Sequence, residues 1–107
     1  MPDVTDRIEK LQQVLKQKPN DSFALFGLAM EYASQNDFHS AIEYLERLIT
    51  ADPNYVAGYY QKARLHLKLG EKDLAKQVIQ AGLEKALETG QFHTRDRLQE
   101  LLTAISD

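Results

Sequence analysis

Three histidines, His39, His66 and His93, are the side chains in this sequence best suited to moving a proton or holding a metal. Neither task is done by a histidine alone. A metal needs three or four ligands at set spacings, and a general base needs a nucleophile or an orienting carboxylate. None of the three has another His or a carboxylate at a clear metal-ligand spacing. The chain contains no Cys, which removes thiolate ligands, disulfides and a Cys nucleophile. It has no Gly-x-Ser-x-Gly, no His-Glu-x-x-His and no Gly-rich phosphate loop. The expectation is therefore no catalytic residues, no metal ligands, no cofactor and no enzyme. His66 lies in an apolar helical pattern and reads as a packing residue.

The elements that must position any other kind of site come from the apolar spacing. The chain has 107 residues, 43% hydrophobic and 27% charged, enough to fold around one core. Val4, Ile8, Leu11 and Leu15 form one stripe at helical spacing, capped by Asp3 and stopped by Pro19. A second helix follows Asn20-Asp21. Its apolar set, Phe23, Leu25, Phe26, Leu28, Ala29, Met30, Tyr32 and Ala33, is wider than one stripe and ends near Asn36. A third starts at Asp37 and carries Phe38, Ala41, Ile42, Leu45, Leu48 and Ile49, with Glu43 and Arg47 spaced as an intrahelical pair. Asn54 is the expected cap of a fourth, which closes at Gly70. A fifth runs from Glu71 to Thr89-Gly90, and Thr94 is the expected cap of a sixth. No segment alternates with period two. The reading is six helices, short connections and no sheet. The N-terminus lacks the apolar core of a signal peptide, and no run approaches the roughly 18 apolar residues of a membrane span. A cytoplasmic location and no membrane insertion are expected.

The helices keep register with one another. Pro19-Asn20 and Pro53-Asn54 lie 34 residues apart, and the same offset links Leu11, Leu45 and Ile79, then Leu15, Ile49 and Leu83. It also links Ala29 with Ala63 and Ala41 with Ala75. A 34-residue helix–turn–helix period resembles the tetratricopeptide repeat. The first repeat has Leu25, Leu28-Ala29, Tyr32, Phe38, Ala41, Leu45 and Pro53 where that family's pattern places its large, small and aromatic residues and its closing Pro. The second has Tyr59, Lys62-Ala63, His66, Gly70, Ala75 and Ile79, with Leu87 at the Pro position and Gly82 where the first repeat has Leu48. The expected division is a leading helix over 1–19, repeats over 20–53 and 54–90, and a capping helix over 91–107. The four alanines fall where paired helices should come closest, so a Leu there should cost about 1–3 kcal/mol through overpacking.

The resemblance implies an all-α fold, a right-handed α-α superhelix (solenoid) of antiparallel pairs. It implies protein–protein interaction, with a peptide or helix of a partner held by the first helix of each pair. Carried onto this sequence, the partner-binding groove is Phe23, Phe26, Met30 and Ser34, continued by Ala57, Tyr60, Arg64, Leu67 and Lys68. Some members hold a C-terminal carboxylate with Lys and Asn on these helices. Phe26 and Met30 occupy that face here, so no clamp of that kind is expected. From the residues alone, the first set is equally readable as core. Charge adds a second reading. Residues 20–53 carry −5 and residues 54–87 carry +3, from solvated faces or from a polarised surface suited to self-association. The chain is acidic overall, at −3, so nucleic acid is not expected as a partner.

Overall fold

The computed structural model describes residues 4–106, which form six helices. The chain divides after Asp52 into two compact units. The N-terminal unit holds α1 (Val4–Gln17), α2 (Ser22–Ser34) and α3 (Phe38–Ala51). The C-terminal unit holds α4 (Val56–Lys68), α5 (Lys72–Thr89) and α6 (Phe92–Ile105). The fold is all-α and built of antiparallel pairs, α2 with α3 and α4 with α5. No strand occurs among the described residues. Among the described residues, no helix is long and apolar enough to cross a membrane. Asp3, the expected first cap, lies outside the described residues.

The N-terminal unit follows its sequence signals closely. The Asp21 carboxylate accepts from the Ala24 amide at 2.9 Å and starts α2. Asn36 stops it with φ 63, the only non-Gly positive φ among the described residues. Asp37 then accepts from the Ser40 amide at 3.3 Å and starts α3. The breadth of the α2 apolar set has a direct cause: α2 packs against both α1 and α3. Gly27 offers one face, where a Cβ would stand 3.0 Å from Leu11 Cδ1. Leu25, Leu28 and Ala29 are fully buried, as are Ala41, Leu45 and Leu48 of α3. Tyr32 stacks on Tyr44 with centroids 5.6 Å apart. Arg47 does not pair with Glu43. Its guanidinium lies 5.4 Å over the Tyr44 ring and donates to the Pro19 carbonyl at 3.3 Å. Ser22 Oγ donates to Asp52 Oδ2 at 3.1 Å, fastening the start of α2 to the end of α3.

The C-terminal unit repeats the plan with different chemistry. Gly70, φ 76, stands at the Asn36 position, and the Glu71 amide donates to the His66 carbonyl at 2.8 Å as the Asp37 amide donates to Tyr32. Two expected caps do not form. The residue before α4 is Tyr55, not Asn54, and no side chain caps it. The Asn54 main-chain carbonyl accepts from Gln91 Nε2 at 3.0 Å. Thr94 lies inside α6, which begins at Phe92 because Gly90, φ 71, turns the chain within two residues of the end of α5. Gly82 is a close-approach position: a Cβ there would stand 2.8 Å from Tyr59 Cβ and 3.0 Å from Leu98 Cδ1. Side chains of α4 and α6 thus occupy the volume that a larger residue would take. Without a Pro at Leu87, α5 extends to 18 residues and leaves Leu87 68% exposed. The core joins Val56, Ala63, Ile79, Ala86 and Leu98. The Tyr59 hydroxyl donates to the Pro53 carbonyl at 3.0 Å.

Three outcomes follow for stability. Ala41→Leu should cost about 1–3 kcal/mol in urea denaturation, since Ala41 has no exposed surface into which a larger side chain can turn. Gly82→Ala should lower stability by about 1 kcal/mol, because the clash with Tyr59 Cβ outweighs the helix-propensity gain. An unchanged or raised urea midpoint would overturn that balance. Burial pushes the phenols of Tyr59 and Tyr32 above their usual 10.0. A phenol that resists ionisation only when folded keeps its contribution below pH 10 and loses it above. The urea midpoint should hold to about pH 10 and then fall, less steeply in Tyr59→Phe.

Candidate functional site

The side chains expected from the sequence to line a groove fall into one set per unit. In the N-terminal unit, the turn that ends α1 and the Asp21 cap place the first turn of α2 beside α1. Phe23 is therefore 77% exposed, although its neighbours Ala24 and Leu25 are fully buried. Phe23 and Met30 line an open pocket of about 350 Å³ with Leu11 and Gly27. Arg7, Lys10 and Glu31 form its rim, and Arg7 Nε donates to Glu31 Oε1 at 2.9 Å. Phe26 is half-buried outside this lining. Ser34 is exposed, and its hydroxyl donates to the Glu31 carbonyl at 2.7 Å.

In the C-terminal unit, Tyr60 and Arg64 are four residues apart on α4, and the guanidinium lies 5.8 Å from the ring centroid. A residue that the sequence reading did not select joins them. Arg97 of α6 sits 4.5 Å from the same centroid. Arg64 also donates to Gln61 Oε1 at 3.4 Å. Neither guanidinium has a carboxylate partner among the described residues. Two cations on one phenol ring keep most of their hydrogen-bonding capacity for something else. Ala57 and Leu67 are half-buried, and Lys68 is exposed. No spacing signal led to Arg97, because the 34-residue register stops at the lengthened α5.

The titratable groups do not assemble into a reactive centre. His66 is buried, and its Nδ1 lies 3.0 Å from Glu71 Oε1. A carboxylate only accepts, so Nδ1 carries the proton. This pair was missed because Glu71 reads as a helix start. The two residues occupy the Tyr32 and Asp37 positions of the first repeat, where the acid caps a helix instead. Among the described residues, no group of three His, Asp or Glu could hold a metal ion.

Comparisons with known proteins agree with this architecture. The tetratricopeptide repeat family matches residues 32–103. A TPR repeat-containing protein of Pseudomonas aeruginosa is 30% identical over 83 residues, which span 78% of this chain and 79% of that protein. A tetratricopeptide repeat domain protein from Salinibacter ruber superposes with a TM-score of 0.77 at 30% identity, covering 82% of this chain and 89% of that one. The TPR2B domain of yeast Sti1, solved in complex with pHsp70, superposes with a TM-score of 0.88 at 22% identity, covering 95% and 82%. With the 34-residue register, the paired helices and their buried alanines already in place, these matches make the chain a member of the tetratricopeptide repeat family.

Proposed function

We propose that this chain is a protein-interaction module that holds a segment of a partner protein against the first helices of its repeats. The observation that carries the reading is the Tyr60 cluster. Two guanidiniums without carboxylate partners flank one half-buried aromatic ring. Tyr and Arg are the residue types that most often dominate binding energy at protein interfaces. Phe23, Phe26 and Met30 supply an apolar recognition set on α2, with the polar Ser34 at its end, and Ala57, Leu67 and Lys68 complete the α4 set. A partner segment on the C-terminal unit would carry acid toward Arg64 and Arg97. The Sti1 domain, which shares the fold, was solved with pHsp70 bound, and this supports a partner of the same general kind. The absence of Cys fits a reducing, cytoplasmic setting.

A second reading has its own observation. The −5 and +3 division between repeats suits association of copies through opposite charge. Light scattering at low and high salt separates the two, since a particle of 12.2 kDa at low salt counts against self-association.

The interaction reading is tested by paired capture from host lysate, analysed by mass spectrometry. One bait is wild type; the other carries Tyr60→Ala, Arg64→Ala and Arg97→Ala and is checked for helicity and melting. The expected outcome is at least one protein retained by wild type and lost, or reduced about tenfold, with the triple variant, as removal of a binding hot spot produces. Identical lists from two folded baits would remove the Tyr60 cluster from the binding surface.

A further inference from the structure

The Tyr60 cluster holds more positive charge than one carboxylate can balance. α4 contains Lys62, Arg64 and Lys68 and no acid. α6 contains two acids, and neither pairs with Arg97. Asp96 accepts from Arg95 Nη2 at 3.0 Å, and Glu100 lines a separate open pocket with Gln99 and Thr103. At α5, Glu88 accepts from Lys85 at 3.3 Å, and Glu71 is taken by His66. Arg64 and Arg97 thus keep two full charges beside one ring, their guanidinium carbons 5.8 and 4.5 Å from its centroid. The ring is fixed in place, because Tyr60 is half-buried against the core of Val56, Ala63 and Leu98. Both arginines are exposed, so their forks can turn toward a bound group.

Granted the interaction reading above, on which this rests, we infer that the cluster takes a phosphate monoester borne by a phosphorylated side chain of the partner segment. Charge is the first ground. A carboxylate brings one negative charge and two oxygens, and a single arginine fork satisfies both oxygens. The second guanidinium would then stay uncompensated. A phosphate monoester brings about −1.5 to −2 at neutral pH and three acceptor oxygens. It accepts from two forks at once and matches two guanidinium charges. Direction is the second ground. Arg64 and Arg97 belong to different helices and reach the same ring. Forks arriving from separate elements suit a tetrahedral group, whose oxygens point apart, better than a planar one. The phosphate belongs to a peptide rather than a nucleic acid. One doubly charged group fills the cluster, and a chain at −3 repels a long polyanion. Arginine clusters are a recurring means of reading phosphorylated segments.

The test uses the full chain and three bead-bound peptide libraries, randomised on both sides of one fixed central residue: phosphoserine, glutamate or serine. A short single-stranded RNA is the fourth probe. Retention on the phosphoserine library should exceed that on the glutamate library at least about tenfold, with none on serine. Arg64→Ala and Arg97→Ala should each lower phosphoserine retention about tenfold. Arg97→Lys should recover only part of it, because an ammonium keeps the charge but not the fork. All three variants change exposed side chains, and melting curves verify that they fold. Equal retention on phosphoserine and glutamate would overturn the phosphate and leave the interaction reading standing. Retention on no library, while lysate capture still loses a protein with the triple variant, would do the same. Phosphoserine retention that survives both alanine variants would put the phosphate elsewhere on the chain. Tighter binding of the RNA would give the cluster to nucleic acid. Retention on no library together with identical lysate lists would remove both readings.

Discussion

Two helices can lie against each other only as closely as the side chains between them permit, and four fully buried positions of the two pairs are alanine. Ala29 and Ala41 in one pair, and Ala63 and Ala75 in the other, have no exposed surface. Each sits where a longer side chain would act as a spacer. Close approach lets Leu25, Leu28, Leu45 and Leu48 bury completely in a chain of modest size. It also fixes which residues of α2 and α4 turn outward, because a face pressed onto a partner helix cannot serve recognition. Phe23 and Tyr60 are available for that reason.

Most of this fold is legible in the residues, and the legible parts share a cause. Register, alanine positions and the turns at Asn36, Gly70 and Gly90 are local or periodic signals, and each has a direct physical reading: small size, left-handed backbone, carboxylate to amide. The parts that were not legible depend on contacts distant in sequence. Asn54 carries the right side chain for a cap, yet α4 starts behind Tyr55, one residue later, and the Asn54 main-chain carbonyl accepts from Gln91, 37 residues on. Thr94 is a good cap former, but Gly90 starts the last helix before it. The Arg97 contact with Tyr60 needs the length of α5 and the placement of α6, neither of which the 34-residue period encodes. Gly82 reads as a lost packing residue in the sequence and proves to be the space into which Tyr59 and Leu98 fit.

The second repeat shows how one position can change role while the backbone stays the same. Asp37 and Glu71 follow the same turn and make the same main-chain bond to the residue five before. Asp37 is short enough to reach back to its own helix. Glu71, one methylene longer, reaches the ring at 66, which is His where the first repeat has Tyr. A buried imidazole needs a partner for its N–H, and a half-buried phenol ring can instead stack, as Tyr32 does on Tyr44. The substitution at the aromatic position and the change of role at the acidic one are therefore a single adjustment.

The loss of a cap at the acidic position is one part of a wider difference in how the helices start. α2 and α3 begin under Asp carboxylates, whereas no side chain caps the first amides of α4, α5 or α6. A cap is worth about 1 kcal/mol, and its absence lets a first turn open roughly five times as often. Hydrogen exchange would then be faster at the N-terminal turns of α4, α5 and α6 than at those of α2 and α3, even though α5 is the longest of these helices. Local opening concentrates beside Tyr55, Glu71 and Gln91, so a protease or a modifying enzyme would meet loosened backbone there before it met any in the N-terminal pair.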